Sequence, residues 1–140
     1  MKKCIRLLVL WAFAVVLCAA GGCGQRELPK PERAPVRGRV MLRGEPARYV
    51  TVRFNDTGGK WESHGFTDGD GYFELRTLAN DGEPDGAVPG EYEVTLEPYD
   101  PAICGPIPKE AVPTRLAGDF STGQILLISS GSNDLLVDIP

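Results

Sequence analysis

Thr67-Asp68-Gly69-Asp70-Gly71-Tyr72-Phe73-Glu74-Leu75 can be read in two ways. Two aspartates two residues apart, with glycines beside them and a glutamate after, have the look of a calcium loop. An EF-hand loop needs oxygen ligands at its first, third and fifth positions, glycine at the sixth and glutamate at the twelfth. With Asp68 first and Asp70 third, Tyr72 falls at the fifth and Phe73 at the sixth, and the pattern fails at both. The other reading, a tight turn, uses every residue. Asp68 and Asp70 cap backbone amides, Gly69 and Gly71 accept positive φ, and Tyr72-Phe73-Glu74-Leu75 alternates as a strand with Phe73 and Leu75 on one face. The turn is preferred, and Asp68 and Asp70 remain only weak metal candidates.

Outward from this turn, apolar residues keep a period of two, the mark of half-buried strands. Val36, Gly38, Val40 and Leu42 alternate with Arg37, Arg39 and Met41. Arg43-Gly44-Glu45-Pro46 then turns the chain, and Val50, Val52 and Phe54 alternate with Thr51 and Arg53. Strands are predicted over 36–42, 50–54, 61–67, 72–76, 90–96, 124–130 and 135–139. Pro89-Gly90 is the turn feeding the fifth, whose Tyr92, Val94 and Leu96 point inward. The last two form a hairpin around Gly131-Ser132-Asn133-Asp134. No stretch has the period of an amphipathic helix. Seven short strands separated by turn residues predict an all-β antiparallel sandwich and not an α/β fold. The proline-rich piece 98–123 carries no pattern; a loop that long in a small domain is functional or loosely ordered.

The N-terminus has a different character. Met1-Lys2-Lys3-Cys4-Ile5-Arg6 is basic, residues 7–20 are almost purely apolar, and Ala19-Ala20-Gly21-Gly22-Cys23 ends a small-residue run on cysteine. That order is a secretory signal peptide. The apolar run is shorter than the roughly 20 residues of a spanning helix, and no later segment is long and apolar enough. Ala20-Gly21-Gly22-Cys23 resembles the bacterial lipobox, in which cleavage precedes the cysteine and acyl chains are attached to it. It departs from the strongest form in having Ala20 where leucine stands. Lipidation of Cys23 is preferred over ordinary secretion with cleavage near Ala20 and a free Cys23. Residues 1–22 are therefore assigned to the signal peptide, 23–35 to the lipidated cysteine with a proline-rich tether, "GQRELPKPERAP", and 36–140 to the sandwich.

Removing residues 1–22 leaves 12 Lys+Arg against 19 Asp+Glu. An acidic exported chain makes a poor nucleic-acid binder, because neutralising phosphates takes a basic surface. Of four cysteines only Cys104 would keep a free thiol. No disulfide framework is expected, although the compartment permits one.

Several motifs in order carry a resemblance: Gly38-Arg39-Val40, Gly44-Glu45-Pro46, Thr67-Asp68-Gly69-Asp70-Gly71-Tyr72-Phe73 and Pro89-Gly90-Glu91-Tyr92-Glu93-Val94. Over about residues 36–139 the chain resembles the carboxypeptidase regulatory-like, transthyretin-like β-sandwich domains of bacterial envelope lipoproteins. The resemblance implies a seven-stranded Greek-key sandwich. It says little about function, since one sandwich hosts many tasks. A downstream Ile-Pro-x-Lys-Tyr segment of the closest relatives survives only as Ile107-Pro108-Lys109-Glu110. Hydroxyisourate hydrolases share the fold but use several histidines and a C-terminal Tyr-Arg-Gly-Ser; this chain has one histidine and ends Val137-Asp138-Ile139-Pro140, so that activity is excluded.

Candidate chemistry is sparse. His64 is the single histidine, and Ser63 and Gly65 beside it form no nucleophile elbow. Cys104 has no C-x-x-C partner and no neighbouring base. The acidic loop 80–86 reads as solvated, and Trp61 and Tyr99 are candidates for stacking on a sugar or peptide. The expectation is a lipid-anchored, non-enzymatic envelope protein, periplasm-facing or at the surface, with no cofactor. Its partners are the membrane, through Cys23, and a protein or glycan met through loops or an open strand edge. The alternatives are an accessory domain working beside a separate peptidase or glycan hydrolase, and a calcium-stabilised adhesion module.

Overall fold

The structure, a computed structural model, describes residues 30–77 and 85–140. The signal peptide, the lipobox with Cys23 and most of the tether lie outside the described residues, as does most of the acidic loop. Pro31–Pro140 forms a unit of its own.

Alternation along the chain yields two sheets. The first has β1 (Val36–Leu42) at its centre, flanked on one edge by β2 (Glu45–Pro46) and β5 (Tyr72–Glu74), both antiparallel to it. The second runs in the order β6 (Arg76–Thr77), β4 (Glu62–Phe66), β3 (Thr51–Asp56), β7 (Gly90–Glu97), β8 (Phe120–Ile128), antiparallel throughout. A four-residue helix, α1 (Pro101–Cys104), lies between β7 and β8, and β9 (Asn133–Ile139) closes the chain. Val36 and Val40 from β1, Phe73 from β5, Val52 and Phe54 from β3, and Tyr92, Val94 and Leu96 from β7 share one buried core. Phe54 joins the layers, its ring 5.9 Å from that of Phe73 in the first sheet and 6.2 Å from that of Tyr92 in its own. The fold is thus an all-β sandwich. Where the two layers approach each other the sequence places glycine: a Cβ on Gly65 of β4 would stand 2.7 Å from the Glu74 carbonyl of β5 and 3.3 Å from the Phe73 ring.

Four sequence expectations are corrected. The hairpin around 131–134 does not form: β8 belongs to the second sheet, while β9 crosses to the first and pairs with β1. The pairing is parallel and continuous from Val36↔Asn133 to Leu42↔Ile139, so the sandwich is mixed and not wholly antiparallel. Period-two patterning says which face of a strand is buried and nothing about its neighbour, so both partners were compatible with Val137 and Ile139 inward. The side chain of Asn133 holds the crossing: its Nδ2 donates to the carbonyls of Ser129 and Gly131, each at 2.9 Å, and its Oδ1 accepts from Ser129 N at 2.9 Å. The single strand predicted over 72–76 breaks at buried Leu75, with β5 in one sheet and β6 in the other. Among the described residues the strand segments number nine, where seven were expected, β2 and β6 being two-residue pieces.

The end of the segment read as tether is packed in. Ala34 is buried and exchanges two backbone hydrogen bonds with Ala87, and Arg33 pairs with Asp85 at 3.5 Å. At the other end of the domain the patternless stretch is pinned by Thr114, whose N–H donates to Arg48 O while its hydroxyl accepts from Arg48 N, both at 2.8 Å.

Candidate functional site

At the turn, Asp68 Oδ1 accepts from Asp70 N at 2.8 Å and from Tyr72 N at 3.0 Å. Gly71 sits at φ +82, in the left-handed region, with the Val40 carbonyl and Ala47 amide close behind it. Gly69 is corrected: it does not adopt positive φ and packs instead on the Tyr49 hydroxyl. Asp70 is corrected too. It contributes its carbonyl, which accepts from Arg39 Nε at 2.9 Å, and no side-chain cap. Gly90 opens β7 opposite Ile128, and the Tyr92 hydroxyl donates back to Val88 O at 2.7 Å just before Pro89-Gly90. Among the described residues no three His, Cys, Asp or Glu side chains gather as a metal set. Asp85, in the acidic loop, accepts from Thr77 N at 2.7 Å and Thr77 Oγ1 at 2.9 Å.

The chemistry gathers on the outer face of the second sheet. Val52 and Phe54 point into the core, so Thr51 and Arg53 between them point out. Register sets Arg53 beside His64 on β4 and Thr95 on β7, and sets Thr51 beside Phe66 and Glu97. Arg53 donates from Nε to Glu97 Oε1 at 2.6 Å, from Nη2 to Glu97 Oε2 at 2.8 Å, and from Nη1 to Glu62. This bidentate bond to Glu97 holds the guanidinium proton more tightly than usual. Every face of the fork is engaged, leaving Arg53 little to offer an anionic ligand.

An outward-facing residue in a two-layer sandwich is ordinarily solvated, yet Thr51 and His64 are each only 7% exposed. The chain after β7 covers this face. Asp100 nucleates α1, its Oδ1 accepting from Ala102 N at 2.8 Å. The helix then brings Cys104 Sγ to 3.5 Å from Thr51 Oγ1. Between sheet and segment lies a cavity of about 440 Å³, lined by Thr51, Arg53, His64, Glu97, residues 98–101, Ile103 and Asp119. On two of these residues a polar atom, His64 Nδ1 and the Tyr99 hydroxyl, is closed off from solvent and cavity alike and has no hydrogen-bond partner. Burial, followed by the Arg76 and Arg53 charges, pulls the His64 pKa below its ordinary value, so the ring is neutral at pH 7. A neutral imidazole offers one donor and one acceptor nitrogen. The ring also lies edge-on to Phe66 at 5.3 Å.

A larger cleft of about 530 Å³ runs beside Asp68, along Arg37, Phe66, Tyr72, Glu74 and Arg76. There the charges and rings are engaged with each other, Arg37 with Glu74 at 3.7 Å and Arg76 over Phe66 at 5.8 Å, while Arg39 stacks on Tyr72 from the side at 5.0 Å. The smaller cavity, covered by the segment that buries the outward-facing Thr51 and His64, is the better site.

His64 and Cys104, unpromising singly in the sequence, thus come to one face, Cys104 through its contact with Thr51 and His64 beside Arg53. Tyr99 lines the cavity and Trp61 does not, so the two stacking candidates are not brought together. Arg53 and Thr51 gave no sequence signal, because a polar residue between two core residues is the rule in any half-buried strand.

No family model matches the chain, and no curated protein does. Among solved structures, a 9R-lipoxygenase from Cyanothece PCC8801 is similar at 16% identity and a TM-score of 0.38, over 81% of this chain and 18% of that one. A likeness at that TM-score carries no argument about this chain.

Proposed function

We propose that the protein is a lipid-anchored, non-catalytic binding module of the bacterial cell envelope, its sandwich akin to the carboxypeptidase regulatory-like domains. One observation carries the binding reading: a cavity of about 440 Å³ with mixed polar and apolar lining lies between the outer face of β3, β4 and β7 and the segment that follows β7. The site has the size and mixed lining of a small-molecule pocket. The absence of catalysis is inferred from the chemistry around the thiol. Cys104 Sγ meets the Thr51 hydroxyl, a neutral group that is no general base.

The anchor rests on Ala20-Gly21-Gly22-Cys23. Two or more acyl chains, at about 0.8 kcal/mol per buried methylene, make a durable membrane attachment. A Cys23→Ala variant is expected to leave the membrane fraction and lose acyl labelling; retention of both overturns the anchor. For binding, a photo-crosslinking residue at Ile103, which is 67% exposed on the cavity rim, is expected to capture a specific envelope component in intact cells. The same residue at Val112, off the cavity, should not. Equal yields from both positions, or none from Ile103, overturn the binding module.

A further inference from the structure

We infer that two copies of the chain pair edge to edge through β8, antiparallel, about a two-fold axis at Leu126. The pairing is independent of the cavity.

β8 ends its sheet, so one side of its backbone meets no strand among the described residues. Which residues point there follows from the ladder. Thr57 N donates to Glu91 O, so Glu91 and Glu93 of β7 turn their backbone groups toward β3, while Gly90 and Tyr92 turn theirs toward β8. Opposite these two stand Ile128 and Leu126, which bond to β7. The N–H and C=O groups of Ile125 and Leu127 therefore face outward. Ser129, next in that alternation, has both groups taken by the Asn133 side chain, which closes the edge at one end. A register irregularity opposite Glu93 and Thr95, with Gly123 at positive φ, closes it at the other. Between them a short length of edge is open.

The other edges are each protected. β2, β5 and β6 have two or three residues, and Thr77 N of β6 is held by Asp85. β9 carries Asp134 and Asp138, and Gln124 Nε2 donates to the Asp138 carbonyl. Short strands, charges and covered amides keep sheet edges from pairing. The centre of β8 has none of these. No charged residue or proline stands between Phe120 and Asn133, and Ile125 and Leu127 are 63% and 64% exposed.

A second copy is the occupant this edge fits. With Leu126 opposite Leu126, Ile125 of each copy pairs with Leu127 of the other, and the outward groups meet donor to acceptor in both pairs. The exposed side chains then form one apolar row on the outer face. Charge agrees. The nearest acids on that face, Glu91 and Glu93, sit on β7 beside Leu127 and Ile125. Glutamates of the two copies would lie three strand spacings apart, about 14 Å, beyond the roughly 10 Å over which exposed charges act at 0.1 M salt. An anionic lipid surface would be repelled by the same glutamates. A single strand pair buries less than a stable dimer needs, so the association is weak and concentration-dependent.

Sedimentation of the full-length protein in detergent is expected to show monomer giving way to dimer as concentration rises. Ile125→Lys should weaken the dimer about 10-fold or more. Leu136→Lys, at the exposed Leu136 of β9, should not, and thermal melts establish that both variants are folded. Register is read by disulfide trapping in a Cys104→Ser background, with yields taken above that of Cys104→Ser alone. Chains carrying Ile125→Cys and Leu127→Cys, mixed and oxidised, should join, because the paired Cα atoms would stand about 5.5 Å apart. Either chain alone should crosslink poorly. A monomer at every concentration overturns the pairing and leaves the edge to a strand of another protein. A dimer that tolerates Ile125→Lys, or equal crosslinking from mixed and single chains, overturns its placement at β8.

Discussion

Asp68 commits one carboxylate oxygen to two amides, those of Asp70 and Tyr72, and that use differs measurably from metal binding. Asp68→Asn keeps an acceptor oxygen of the same reach, so stability should change by less than about 1 kcal/mol, while Asp68→Ala should cost about 1–3 kcal/mol. Urea denaturation separates the two. Millimolar calcium or a chelator should leave the wild-type melting temperature where it is, and a rise with calcium abolished by Asp68→Asn would restore the metal site. His64 gives a second test at the same scale. Its folded pKa is lowered, chiefly by burial and then by Arg76 and Arg53, with Glu62 and Asp85 opposing. Below about pH 6.5, the ordinary histidine value, the unfolded chain takes up a proton the folded ring refuses. The His64 contribution is therefore complete above that pH and is lost progressively as pH falls toward the lowered folded value. Carboxylates add their own acid sensitivity, so the comparison is with His64→Gln. The drop in unfolding free energy from pH 7.5 to pH 5 should be smaller in the variant, and equal drops would show that His64 is not held neutral.

Elements were legible in the sequence in unequal measure, for one physical reason. The faces of β1, β3 and β7 could be read directly, because Val36/Val40, Val52/Phe54 and Tyr92/Val94/Leu96 alternate with polar residues and burial in a two-layer core enforces that alternation. Neighbours could not. The break at Leu75, the parallel seat of β9 and the folding of 98–104 over Thr51 and His64 are all set by contacts between residues far apart in sequence. The candidate site is made of such contacts, so its members looked bland one by one. Asn133 shows the limit clearly: it read as a hairpin turn residue, and it is the buried bracket of a sheet-to-sheet crossing. Replacing it with alanine leaves the Ser129 amide and the Ser129 and Gly131 carbonyls without their partner. The expected cost is about 2–4 kcal/mol, from more than one bond lost at a buried position. A urea midpoint within error of wild type would mean that the crossing is held by the β1–β9 ladder alone.

For the whole molecule the decisive pairing is the last one made. β9 runs the full length of β1 and puts Val137 and Ile139 into the core, and without it the central strand of the first sheet keeps only the short β2 and β5 as partners. Val36 and Ile139 lie at opposite ends of the domain sequence, so this ladder closes the longest loop available to it. Closing such a loop is entropically unfavourable until the contacts form, which places sandwiches of this kind among slow folders. Loss of β9 also bares one whole edge of β1, a template for pairing with another chain. Truncation after Ser132 should therefore do more than subtract one strand. The shortened chain is expected to lose the cooperative thermal transition in circular dichroism, become sensitive to dilute protease throughout residues 36–128, and aggregate at concentrations where the full chain is monodisperse. Adding a peptide of residues 133–140 should restore part of the protection, because the ladder needs only backbone partners and two apolar side chains in register. A truncated protein that still melts cooperatively and resists protease would show that the second sheet holds the core without β9.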